Sequence, residues 1–74
     1  MARTLDTLRK GESAAILCLT ADGCTRQRLV SLGFVAGQSV TCLMRGFLGD
    51  PTAYRILGTV VALRRGDART VLIA

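Results

Sequence analysis

At 74 residues, half of them apolar, the chain has room for one domain, residues 1–74, and none for a second. Charged residues make up only 20%, which excludes a disordered chain; ten basic side chains, nine of them arginine, face five acids and leave a net charge of +5. That excess suits an acidic partner without choosing among nucleic acid, an anionic membrane and an acidic protein face, while three aromatics (Phe34, Phe47, Tyr54) and no tryptophan exclude a broad base-stacking platform or an aromatic groove for proline-rich peptides.

In chain order, Arg3, Arg9 and Lys10 precede the apolar run 14–19 as in a signal peptide, but Asp6 and Glu12 interrupt the basic stretch, the run is short and no small-x-small site follows, so export is not expected. The run is apolar on both parities and predicts a short strand covered on two sides. Asp22-Gly23 breaks that strand, Asp22 is a candidate N-cap, and residues 25–32 form a short helix with Leu29 and Leu32 one turn apart. Gly33 is its stop, in left-handed geometry, with Phe34 packing back on Leu29. After Gly37, Val40, Cys42 and Met44 share one parity, as in a half-buried strand, and Leu43 breaks the alternation. Turn residues Gly49-Asp50-Pro51 precede a strand at 53–57; Gly58 separates it from Thr59–Leu63; Gly66-Asp67 precedes a last strand at 69–73. The result is mainly β: five short strands, with one short α-helix inserted after the first, and a spacing that favours a small barrel whose closure removes exposed edges.

No acid/base pair is legible, because histidine is absent and the five acids are dispersed; Cys24, near the helix start, lacks a base to activate it. Three cysteines, Cys18, Cys24 and Cys42, with no Cys-x-x-Cys pair, predict reduced thiols and no intrachain metal site. No stretch reaches the roughly 20 apolar residues of a membrane span. Arg26 and Arg28 on the helix, with Arg64 and Arg65 at a strand end, exceed what solubility needs and are candidate partner contacts. Phe47 and Leu48, an apolar pair beside a turn, read either as a barrel plug or as a docking knob.

Taken in order, Leu8, Gly11 and Ala14, then Gln27-Arg28-Leu29 with Leu32-Gly33-Phe34, then Gly37 and Val40, then Leu48-Gly49-Asp50-Pro51 with Tyr54 and Gly58, and last Ala62-Leu63-Arg64 with Asp67-Ala68, make a pattern that covers nearly the whole chain. That pattern resembles the ferrous-iron transport protein A (FeoA) family, cytosolic SH3-like barrels that accompany the membrane ferrous-iron transporter FeoB. Ala36 and Phe47 stand where the family often has proline. The resemblance implies an SH3-like, non-enzymatic, cytoplasmic adaptor for ferrous iron uptake, without cofactor or metal, that binds the transporter's cytosolic GTP-binding region and is recruited to the inner face of the membrane. Its partner-binding set is Arg26, Arg28, Phe47, Leu48, Asp50, Tyr54, Arg64 and Arg65; weak self-association is a further expectation. The rival readings are a basic barrel binding RNA or DNA and a stand-alone regulatory module related to metal-dependent repressors.

Overall fold

The helix shows how directly local chemistry sets this structure, a computed structural model describing residues 3–74. Helix α1 (Gly23–Leu32) begins two residues before the expected start, with Asp22 at the N-cap position but no side-chain capping bond. It ends as the glycine signal requires. Gly33 has φ +108°, its N–H donates to the Val30 carbonyl at 3.0 Å, and the Phe34 N–H donates to the Leu29 carbonyl at 3.0 Å. Those are the two bonds of a Schellman ending, and they bring Leu29 and Phe34, both fully buried, into one core. Leu32 stays at the rim, so Leu29 alone anchors the helix.

Six strands, not five, form one antiparallel sheet: β1 (Arg3–Thr4), β2 (Ser13–Leu19), β3 (Ser39–Arg45), β4 (Thr52–Ile56), β5 (Thr59–Leu63) and β6 (Val71–Ile73), in the order β1-β6-β2-β3-β4-β5. The added strand, β1, is two residues long and pairs with β6 (Arg3 with Ile73, Thr4 with Leu72), so α1 follows the second strand rather than the first. Two residues carry no periodicity, which is why the strand is invisible to pattern reading. Among the described residues no ladder joins β5 to β1, so the expected closure is incomplete and the sheet keeps two edges. A one-turn helix α2 (Arg65–Ala68) occupies the Gly66-Asp67 turn and shortens the last strand by two residues.

Two register shifts decide which side chains face inward. On β2 the pairing with β6 jumps between Ile16 and Cys18; Ile16 is buried while Leu17 and Cys18 are exposed, so this strand is covered on one face and not on two. On β3 the pairing with β4 jumps between Cys42 and Met44, two residues against one, which makes Leu43 the inserted residue. Parity flips there: Cys42 is buried and Met44 is 61% exposed, against the expectation that they share a face. The core gathers Leu5 and Leu8 from the N-terminal segment with residues of α1, β2, β3, β4, β5 and β6. Arg45 anchors that segment by donating to the carbonyls of Leu8 at 2.7 Å and Asp6 at 3.3 Å. Glu12 accepts from the Arg9 backbone N–H and the Arg3 guanidinium, which hold its carboxyl below the usual range.

Candidate docking surface

The loop after β3 turns sharply because Gly46 lies against the next strand's approach: a Cβ there would meet the Pro51 carbonyl oxygen at 2.0 Å. The segment Phe47–Gly49 then makes a single 3-10 turn in which Leu48 takes a left-handed conformation (φ 59°, ψ 21°). Such geometry costs an ordinary side chain about 1 kcal/mol, and here it lifts two apolar side chains out of the fold: Phe47 is 88% exposed and Leu48 83%. Neither plugs the barrel.

Polar contacts hold this loop onto α2. The Arg65 guanidinium donates to the Leu48 carbonyl at 3.4 Å, and the Arg65 backbone N–H donates to Asp50 Oδ1 at 3.0 Å. Asp50 is therefore engaged in fixing the loop to the first turn of α2. Two residues on, Asp67 forms an ion pair with Arg28 and so ties α2 to α1. One connected ridge results, running from Phe47 and Leu48 through Asp50 and Arg65 to Asp67 and Arg28, with exposed Arg64 beside it.

Two of the eight candidates lie elsewhere. Arg26 sits two residues from Arg28 on α1, hence on another side of the helix. Its backbone N–H donates to the Asp22 carbonyl, its guanidinium reaches the Leu19 carbonyl at 3.5 Å, and it borders a groove of about 180 Å³ lined by Cys18, Leu19, Val30, Phe34, Val35 and Ala36. Tyr54, at 1% exposure, is a core residue and is out of a partner's reach. Its hydroxyl lies 3.5 Å from the Leu5 carbonyl, and burial pushes its ionisation up to about 12. The sequence offered a cue: Tyr54 shares parity with Thr52 and Ile56, the inward residues of β4.

The ridge presents exposed apolar side chains beside cationic ones, the composition of a binding surface. Among the described residues no three side chains of the cysteine, aspartate and glutamate type come together as a metal site would need. Cys18 and Cys24 are exposed and Cys42 is buried, with its thiol pushed up by that burial. No helix among the described residues is long and apolar enough to cross a membrane. Two cations missed in the sequence, Arg55 on the outer side of β4 and Arg45 at the end of β3, are both exposed; the first has no ion-pair partner among the described residues and the second is spent on the N-terminal segment.

Known proteins place this geometry. Residues 3–74 match the FeoA domain model. Over 67 residues, 90% of its length, the chain is 37% identical to the Fe(2+) transport protein A/Fe(2+) transporter FeoB fusion protein of Porphyromonas gingivalis, of which it spans 8%. The solution structure of iron(II) transport protein A from Clostridium thermocellum superposes with a TM-score of 0.92 at 30% identity, over 96% of this chain and 44% of that one. The crystal structure of Stenotrophomonas maltophilia FeoA complexed with zinc, described as a procaryotic SH3 domain protein, gives 0.88 at 31% identity, over 99% of this chain and 91% of that one. The fold is thus SH3-like, and the chain belongs to the FeoA domain family of ferrous iron transport.

Proposed function

We propose that this chain is a non-enzymatic adaptor that docks on the cytosolic, GTP-binding region of a FeoB-type ferrous iron transporter and is thereby held at the inner face of the membrane. The observation that carries the reading is the Porphyromonas gingivalis relative, in which a FeoA segment and FeoB share one polypeptide. Two partners written as one chain in a relative are expected to meet as separate chains elsewhere. The ridge supports the reading with the anatomy of a small interface: an apolar knob at Phe47 and Leu48, and a rim of Arg28, Arg64 and Arg65.

The experiment is capture of the purified cytosolic region of a FeoB-type transporter by the full chain, with an unrelated GTPase as control. Selective, saturable capture is expected; capture of neither protein, or of both alike, contradicts the reading. The nucleic-acid alternative is weakened by the burial of Tyr54 and Phe34, which leaves Phe47 alone as an exposed aromatic.

A further inference from the structure

We propose that the outer edge of β5 takes up an extended, carboxylate-bearing peptide segment as a seventh antiparallel strand. β5 ends the sheet, and its register with β4 runs unbroken from Ile56 opposite Thr59 to Thr52 opposite Leu63. The two-residue turn Leu57-Gly58 makes Ile56 and Thr59 a hydrogen-bonded pair, so the bonded pairs are those of Thr59, Val61 and Leu63. The N–H and C=O of Val60 and Ala62 therefore point away from β4, into the open edge.

Natural edges are blunted by charge, proline, a bulge or brevity. Thr59–Leu63 has none of these: it is uncharged, proline-free, regular and five residues long. The opposite edge differs, since β1 has two residues and its Arg3 guanidinium donates to the terminal Ala74 carbonyl and to Glu12. The β5 edge is also held in place. Leu57 adopts φ +51° at the hairpin tip and its side chain lies over Gly33, where even a Cβ would come within 2.7 Å of the Leu57 Cδ1. That contact fastens the hairpin to the end of α1.

Charge selects the occupant. Arg55 stands opposite Val60 on the outer face and Arg64 follows Leu63; both are exposed and neither guanidinium has an ion-pair partner among the described residues. A strand that carries apolar side chains on the face continuing Val61 and Leu63, and carboxylates on the face beside Val60 and Ala62, matches both the core and the arginines. A second copy of this chain, at net charge +5 and with the same arginines at its own edge, is repelled. That the segment belongs to the transporter rests on the docking reading above; the edge chemistry does not.

The test titrates the full chain with a capped octapeptide alternating valine and glutamate. In the antiparallel arrangement the glutamates lie opposite Val60 and Ala62, and their N–H groups face β5. Methylating the glutamate nitrogens is expected to weaken binding about tenfold or more, whereas methylating the valine nitrogens, which face away, leaves it intact. Amide exchange at Val60 and Ala62 should slow on binding, and a glutamine counterpart should bind more weakly with little salt dependence. Equal binding of the two methylated peptides, no binding of the unmodified one, or sedimentation showing a second copy on the edge overturns the proposal. Ala62→Pro removes one edge N–H outside the existing ladder. If a folded Ala62→Pro binds the unmodified peptide as tightly as wild type while the transporter region is captured selectively, the edge proposal fails and the adaptor reading stands; if the peptide binds as expected while no transporter is captured, the adaptor reading fails and the edge stands.

Discussion

Leu48 and Leu29 are the same residue type under opposite instructions. Leu29 is fully buried beneath the Schellman ending of α1, so Leu29→Ala should cost about 2–5 kcal/mol, enough to unfold much of a domain this small at physiological temperature; a thermal melt reads this directly. Leu48 is exposed and left-handed, so Leu48→Gly should remove the knob while relieving the backbone. Its melting temperature is expected to hold or rise, by up to about 1 kcal/mol of added stability, as partner capture falls. A loss of stability on Leu48→Gly contradicts the placement of this side chain outside the core. Tyr54 makes a third residue-scale prediction. Its hydroxyl ordinarily ionises at 10.0, but burial holds it neutral to about 12. Between those values the folded chain keeps a proton that the unfolded chain gives up, so stability falls as pH rises, by at most about 1.4 kcal/mol per pH unit. Buried Cys42, shifted up from 9.0, acts in the same direction. Denaturant titrations of wild type and Tyr54→Phe across this window isolate the tyrosine contribution: the variant should lose less stability than wild type, and identical curves contradict it.

At the scale of elements, the helix stop at Gly33 and the break at Gly58 between β4 and β5 were legible because each is written in a local code: a left-handed glycine at a helix end, and a glycine between two apolar runs. What was not legible depends on partners distant in sequence. β1 is defined by its pairing with β6, and α2 is held from outside by Asp50 and Arg28. The bulge at Leu43 was half visible: the alternation broke at that residue, but only the pairing with β4 shows that Met44 turns outward as a result. Gly46 carries an element-scale prediction. A methyl group there cannot coexist with the Pro51 carbonyl, so Gly46→Ala must displace the loop from β4. Expected are lower stability and weaker capture together, unlike Leu48→Gly; a variant with wild-type melting and capture contradicts the close approach seen at this turn.

Across the whole molecule, the excess of positive charge resolves into two populations. Arg3, Arg26, Arg28, Arg45 and Arg65 bond to the chain's own carboxylates and carbonyls, whereas Arg9, Lys10, Arg55, Arg64 and Arg69 have no ion-pair partner among the described residues. Composition gave the sum but not this division, since sequence alone did not show which acids meet which arginines. For the same reason the candidate surface was legible in its parts, Phe47, Leu48, Arg28 and Arg65, and not in its connection through Asp67 and Asp50. Tyr54, a surface candidate by sequence, has the parity of the inward residues Thr52 and Ile56. Because the unpaired arginines contact phosphate only through charge, binding to mixed-sequence DNA or RNA should be weak and fall steeply between 50 and 200 mM salt, to about a tenth or less; salt-resistant, sequence-selective binding contradicts an adaptor role.

In the proposed function, the exposed loop on α2 serves as the docking knob for the transporter's cytosolic region. Its most direct test is the affinity of that region for wild type and Leu48→Ala, measured beside the melting temperature of each. Expected is an unchanged melt with affinity reduced about tenfold, the loss of a central apolar contact. An unchanged affinity in a variant that melts like wild type contradicts it.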